Sequence, residues 1–453
     1  MDDLYMGILL LCLFFFMIAI SMPIAVAIAM SSLVIIYIAM GAFTFEDFSF
    51  ETFFDMQQFM VSNITATQKI FTGIDSFSLL AIPFFILAGN IMNVGGIAGR
   101  LINLAKLMVG WIPGSLLHVN IFANMMFGAV SGSAVAAAAA VGKTLGPELE
   151  KEGYDKNLST AVNVASCPAG LLIPPSNSLI VFSVVSGGTS VAALFIAGYV
   201  PGILMGLSCM IVAYFIAKKK GYTTSANDGF TVKDVLRIIF EALPSLGLIF
   251  VVIGGIIGGI FTATEGACIA VLYSFILSLC YRSLNWSHFS KICTETTQIT
   301  GIMLFLIGAS TIMSWVMAYT GLPSMVSDWM LSISENPIII FILMNIILLI
   351  IGMFMDLTPA VLIFTPIFMP IAEQLGMHPI HFAMMIIFNL CIGIATPPVG
   401  TALFVGCSVS GSKIENVIRS ILPFCAVLII TLLAITFIPE ISLALPRAFG
   451  LIM

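Results

Sequence analysis

The chain has 453 residues, 60% of them hydrophobic and 8% Asp, Glu, Lys or Arg, where soluble domains carry about 25% charged residues. Its 16 basic and 22 acidic side chains leave a formal charge of −6. These proportions exclude a soluble enzyme, a nucleic-acid binder with a basic face and a disordered chain, and they describe a polytopic helical membrane protein.

A span takes about 20 apolar residues, so the length allows about a dozen spans and no soluble domain between them. Residues 1–70 are read as a scaffold helix followed by an interfacial arm. The opening Met1-Asp2-Asp3 is acidic where a leader peptide is basic. The apolar run over 7–40 is too long for a leader core, which predicts a retained helix. Residues 43–63, aromatic and acidic without a spanning run, predict an interfacial helix or arm.

Residues 71–217 form a first repeat. Asp75, ahead of Ser76 and Ser78, predicts an N-cap, and His118 near a helix start is either structural or a proton relay. The apolar run over 115–147 is interrupted at Ser131-Gly132-Ser133. The arms of about 16 and 14 residues are each too short to cross, which predicts a re-entrant hairpin with its tip there. Ala134 and Ala136 to Ala140 suit close helix packing. Next comes Leu172-Ile173-Pro174-Pro175-Ser176-Asn177-Ser178, where two prolines remove two N–H donors and force the helix to unwind. Gly142-Lys143-Thr144 looks like the end of a P-loop, but Ala137 stands where its first glycine belongs.

Lys218, Lys219, Lys220, Lys233 and Arg237 mark 218–237 as a cytoplasmic connector. Residues 238–297 are read as scaffold helices, in which Glu265 stands either at a helix end or in the core. Residues 298–453 repeat the first unit, with a hairpin tip at Met355-Asp356-Leu357-Thr358-Pro359 and a break at Ala395-Thr396-Pro397-Pro398-Val399-Gly400-Thr401. Gly153 precedes Pro174 by the same interval that separates Gly376 from Pro397, as an internal duplication requires. Duplicated halves with interrupted helices at equivalent places point to a secondary transporter and to the place of its binding site. The 9 cysteines lie mostly in apolar runs without CxxC spacing and read as buried small hydrophobes.

Non-helical backbone at membrane depth survives only where it is buried in protein or lines a cavity. Carbonyls freed before each break can coordinate a hard cation, and half-helix N-termini after it can hold an anion. Hydroxyl and amide oxygens complete a sodium-like shell. Asp356, costly at a helix centre, is expected to hold the cation or gate the site. Protons as the coupling ion call for more buried carboxylates or histidines than the chain offers. Catalysis needs paired groups at membrane depth, and the sequence supplies isolated ones.

The stretches DSFSLLAIPFFILAGNIM, FGAVSGSAVA, LLIPPSNS, TATEGA, MFMDLTPA and FNLCIGIATPPVGTALFVG resemble the large membrane subunit of tripartite ATP-independent periplasmic (TRAP) transporters, the DctM type, over nearly the whole chain. The resemblance implies an all-α fold of inverted repeats with two re-entrant hairpins and two broken helices, working as an elevator in a bacterial or archaeal inner membrane. It implies a sodium-coupled importer of small carboxylates, C4-dicarboxylates or sialic acid, using two or more Na+ and no nucleotide. The implied partners are a small four-helix membrane subunit and an extracytoplasmic substrate-binding protein, besides the bilayer. A stand-alone sodium/anion symporter that needs no binding protein is the alternative. Carried over by motif, Ser131, Ser133, Ser176, Asn177, Ser178 and Thr401 would contact substrate. Ser131, Ser133, Gly170, Pro174, Asp356, Thr358, Gly393, Thr396 and Pro397 would surround sodium, partly through backbone carbonyls. Glu265 matches an acidic position of the family. The basic residue that members often carry before the Leu-Pro is missing from Tyr319-Thr320-Gly321-Leu322-Pro323.

Overall fold

A computed structural model describes residues 3–40, 56–222 and 231–452. The first half runs α1 (Asp3–Ala19), α2 (Ile24–Ala39), α3 (Met56–Ile74), α4 (Ala81–Val94), α5 (Ile97–Val109), α6 (Ser115–Ser131), α7 (Ala134–Lys151), α8 (Lys156–Ser166), α9 (Ala169–Leu172), α10 (Asn177–Val185) and α11 (Val191–Lys220). The second half runs α12 (Val232–Ile257), α13 (Ala263–Cys280), α14 (Trp286–Tyr319), α15 (Leu322–Ile333), α16 (Pro337–Phe354), α17 (Leu357–Gln374), α18 (Pro379–Gly393), α19 (Thr401–Ser410), α20 (Ile414–Phe437) and α21 (Glu440–Ala448). Among the described residues every element is helical, and 8 helices are long and apolar enough to cross a membrane. The run from α8 to α10 is apolar enough to be a ninth span if its two parts, bent by 52°, cross as one.

The N-terminal apolar run makes two helices and not one. Pro23 supplies no N–H and disfavours helical backbone at Met22, and Ser21 sits at φ 64°. Of the arm expected over 43–63, residues 43–55 lie outside the described residues. The remainder belongs to α3, which packs on α2 and α14 as part of the framework, with the Tyr37 hydroxyl donating to Asn63 Oδ1 at 2.9 Å. The polar part of the connector beyond Tyr222 also lies outside the described residues up to 230. The expected boundaries at 70, 217, 237 and 297 fall inside α3, α11, α12 and α14, because single helices cross them.

Two sets of helices emerge. In one, α6 packs against α7 and α16 against α17, as two hairpins. The broken runs α8–α10 and α18–α19 lie against them, and α11 packs on α20. In the other, α4 packs on α13, α14 on α2, α3 and α4, and α12 on α5 and α13. The sets meet where α5 and α4 touch α6 and where α14 touches α17. The first hairpin has arms of 17 and 18 residues, longer than the sequence suggests. α7 continues past Pro147 to Lys151, although the proline there withholds the N–H that would bond the Lys143 carbonyl.

Orientation follows from charge. Lys220 Nζ lies 2.8 Å from Asp155 Oδ2, which joins the basic end of α11 to the turn after α7. The hydrogen bond from Lys220 holds the Asp155 carboxyl below the usual carboxylate range. The positive-inside rule puts this end, and the open end of the first hairpin, in the cytoplasm. From Lys233 and Arg237 the chain then crosses outward (α12), inward (α13) and outward (α14), so the second hairpin enters from the opposite side.

Candidate functional site

In the first half, α6 ends at Ser131 and Gly132 turns the chain at φ 62°, a left-handed conformation that suits glycine. Ser133 caps α7, its hydroxyl accepting from the Ala136 N–H at 3.2 Å. The Ser131 hydroxyl donates to the Ser133 carbonyl at 3.3 Å. After α9 the backbone leaves helical geometry through a cis Pro174-Pro175 bond, and α10 starts afresh at Asn177. The Ser176 hydroxyl, fully buried, donates to the Leu171 carbonyl that the break sets free. No side chain caps α10, so its first N–H groups stay available. Asn177 is buried, and its Oδ1 has no hydrogen-bond partner. An acceptor stranded in this way costs about 1–3 kcal/mol unless a ligand satisfies it.

The second half repeats the plan. Pro397-Pro398 is again cis. The Gly400 N–H donates to the Met353 carbonyl at 3.1 Å, and the Ala402 N–H to the Ile394 carbonyl at 3.0 Å, which pins the break onto the second hairpin. The Thr401 hydroxyl donates to Asp356 Oδ1 at 3.3 Å. Gly400 has φ 47°, and the carbonyl oxygens of Ile394 and Thr396 both lie 2.9 Å from where a Cβ would stand. A side chain has no room there, so the turn requires glycine.

Glycine contacts bind each hairpin to its broken helix. A Cβ on Gly170 would lie 2.3 Å from Gly128 Cα, and one on Gly393 would lie 2.6 Å from Gly352 Cα. Only backbone fits between them. Buried amides reinforce both junctions. Asn124 Nδ2 donates to Asn163 Oδ1 at 2.9 Å, and Asn389 Nδ2 donates to Asn345 Oδ1 at 2.8 Å.

Both hairpin tips and both breaks open onto one cavity of about 320 Å³. Of the residues singled out in the sequence, Ser131, Ser133, Asn177, Ser178, Asp356 and Thr358 line it. The others stand behind. Gly170 and Gly393 are spent on the glycine contacts, and Pro174, Pro397 and Ser176 shape the breaks. Thr396 donates to the Ile392 carbonyl at 2.7 Å, and Thr401 reaches the site through Asp356. The framework adds a wall that sequence reasoning missed, with Asn90 and Asn93 of α4 and Ile299 and Met303 of α14. Asparagine in an apolar run was the available signal for Asn90, Asn93 and the junction amides.

Other candidates fall away from the cavity. Glu265 belongs to neither core nor cavity. Exposed at the start of α13, it accepts from the Thr262 N–H at 2.7 Å in a capping box. Asp75 caps nothing, because Ser76 precedes the short turn that follows and provides no side-chain cap. His118 is buried in the first turn of α6, about 20 Å along the helix from the tip.

The family model for the DctM component of tripartite ATP-independent periplasmic transporters matches residues 11–441. The chain is 52% identical over 384 residues to the YgiK protein of Salmonella typhimurium, covering 85% of this chain and 88% of that one. It is 39% identical over 385 residues to the sialic acid TRAP transporter large permease protein SiaM of Vibrio cholerae, covering 85% and 90%. The C4-dicarboxylate TRAP transporter large permease protein DctM of Pseudomonas aeruginosa is 38% identical over 384 residues, covering 84% and 89%. In fold the chain is similar to the YdaH transporter of Alcanivorax borkumensis, with a TM-score of 0.60, 13% identity and coverage of 94% and 97%.

Proposed function

The chain belongs to the DctM component family of tripartite ATP-independent periplasmic transporters, and from that premise we propose that it imports small carboxylates by sodium coupling and an elevator movement. The observation that carries this reading is the single cavity shared by two hairpin tips and two helix breaks. The hairpins and broken helices are the moving set, and α4 and α14 belong to the fixed framework. Sodium is held by oxygen donors: the Asp356 carboxylate, the hydroxyls of Ser131, Ser133 and Thr358, and the Thr396 carbonyl. The substrate carboxylate sits at the uncapped start of α10, beside Asn177 and Ser178. Relatives whose names specify sialic acid and C4-dicarboxylates set the substrate class proposed here.

Energetics favour cation coupling. Each charge moved through 100 mV is worth about 2.3 kcal/mol, so a dianion entering an inside-negative cell faces about 4.6 kcal/mol per 100 mV. Two accompanying cations cancel that cost and a third supplies drive. The cargo is handed over by an extracytoplasmic binding protein, and a small membrane subunit completes the complex.

The test is uptake into proteoliposomes holding this chain and the small subunit, with a panel of C4-dicarboxylates and sialic acid. Uptake is expected only with an inward sodium gradient and the binding protein outside. Equal uptake on a potassium or proton gradient would contradict sodium coupling. Uptake without the binding protein would support the stand-alone symporter.

A further inference from the structure

A second cavity, of about 230 Å³, lies between α3 and α14 of the framework, the outer end of α10 and the tip-proximal part of α17. Its two walls do not match. The framework offers the hydroxyls of Thr72, Ser76, Ser310, Thr311 and Ser314 beside Ile307, whereas the moving set offers only Val184, Val185 and Leu362. Hydroxyls facing aliphatic side chains gain nothing from them, which suggests that another partner belongs opposite this wall.

The position of the wall on α14 identifies that partner. Ile299 and Met303 line the first cavity, and Ser310 and Ser314 line the second. The second pair stands about three turns and about 16 Å further along the same face of the helix, toward the outside. One face of α14 thus serves both cavities, and its outer part is the more polar. The Thr72 hydroxyl donates to the Gln68 carbonyl at 2.7 Å, Ser310 to Leu306 at 2.7 Å and Thr311 to Ile307 at 3.0 Å. Their protons are used, so these oxygens meet a ligand as acceptors. Gly73 brings α3 tightly onto α14 here, since a Cβ would lie 2.1 Å from Thr311 Oγ1.

We infer that this wall is a second station for the cargo. When the moving set rises by about 16 Å, Ser310, Thr311 and Ser314, with Thr72 and Ser76, replace Asn90, Asn93, Ile299 and Met303 as the framework half of the site. The ligand class that fits is a small carboxylate carrying hydroxyl or amine donors. The wall accepts those donors, while the carboxylate stays with the moving set at α10. This inference rests on the elevator reading and adds to it a place and a travel distance.

The test uses the full chain co-expressed with its small subunit, with the exposed Cys12, Cys268 and Cys280 replaced by serine. Val135→Cys, at the exposed start of α7 beside the first cavity, is paired in turn with cysteine at Ile299, Ile307, Ser310, Ser314 and Ala318. Oxidation is expected to link it to Ile299→Cys and also to Ser310→Cys or Ser314→Cys, each link blocking uptake until reduced. An Ile299 link that blocks uptake, with no link at 310 or 314, overturns the station and leaves sliding intact. An Ile299 link that leaves uptake unchanged overturns sliding itself. Independently, Ser310→Ala, Thr311→Val and Ser314→Ala together should lower uptake by about tenfold, with substrate binding to the resting protein unchanged. Unaltered uptake in that variant also overturns the station.

Discussion

Asp356 and Asn177 both line the cavity and offer it different chemistry. Asp356 is the carboxylate among the residues lining it, exposed to it and oriented by Thr401. Asp356→Asn keeps the shape and removes the charge. A contact to a charged group is worth about 1.5–3 kcal/mol, so half-saturating sodium should rise about tenfold or more in uptake assays. An unshifted sodium curve would remove Asp356 from the ion site. Ser176→Ala should behave differently, because its hydroxyl serves the Leu171 carbonyl and not the cavity. Uptake should fall by about two- to tenfold through a loosened break, the loss of one buried hydrogen bond, with half-saturating sodium unchanged. The six residues that converge on the cavity were legible because interruptions of an apolar run locate themselves. The hydroxyls of Ser176 and Thr396 go to the Leu171 and Ile392 carbonyls, because an unwound turn at low dielectric satisfies its own carbonyls first, a demand that residue type does not reveal. Asn90 and Asn93 were missed because they sit on an unbroken helix.

Each hairpin owes its position to a glycine pair. Gly170→Ala and Gly393→Ala would drive a methyl to 2.3 Å and 2.6 Å from facing backbone, and backbone cannot yield as a flexible side chain does. Overpacking of this kind costs about 1–3 kcal/mol, so both variants should melt at lower temperature in detergent and lose uptake. Gly146→Ala is the control, with nothing within 4 Å of its added methyl, and should be close to neutral. A wild-type melting curve for Gly170→Ala would mean the hairpin is not held there. Replacing Pro174 and Pro175 together with alanine should rewind α9 into α10 and abolish sodium-dependent uptake, and unchanged sodium dependence would show that the break has no role. The matched spacings of Gly and Pro-Pro made these elements readable before any coordinates. The lengths of the arms were not, since Pro147 marks a helix end by type yet α7 runs on past it to Lys151. The two N-terminal helices were hidden for a related reason, as a run of apolar residues conceals a single proline turn.

At the scale of the whole molecule, two halves that enter the membrane from opposite sides bring Asn177 of the first and Asp356 of the second to one cavity. The duplication and the breaks were visible in the sequence. The division into a framework and a set of hairpins and broken helices depends on which helices touch, which periodicity alone does not encode. That the halves build one site and not two is the central claim, and a double-mutant cycle addresses it directly. Sodium-induced stabilisation against thermal unfolding would be measured for the purified protein, Ser131→Ala, Asp356→Asn and the pair. A shared pocket predicts that the two losses fail to add by about 0.5 kcal/mol or more. Losses that sum to within about 0.3–0.5 kcal/mol would mean that the two halves bind sodium at separate places, and would contradict the account.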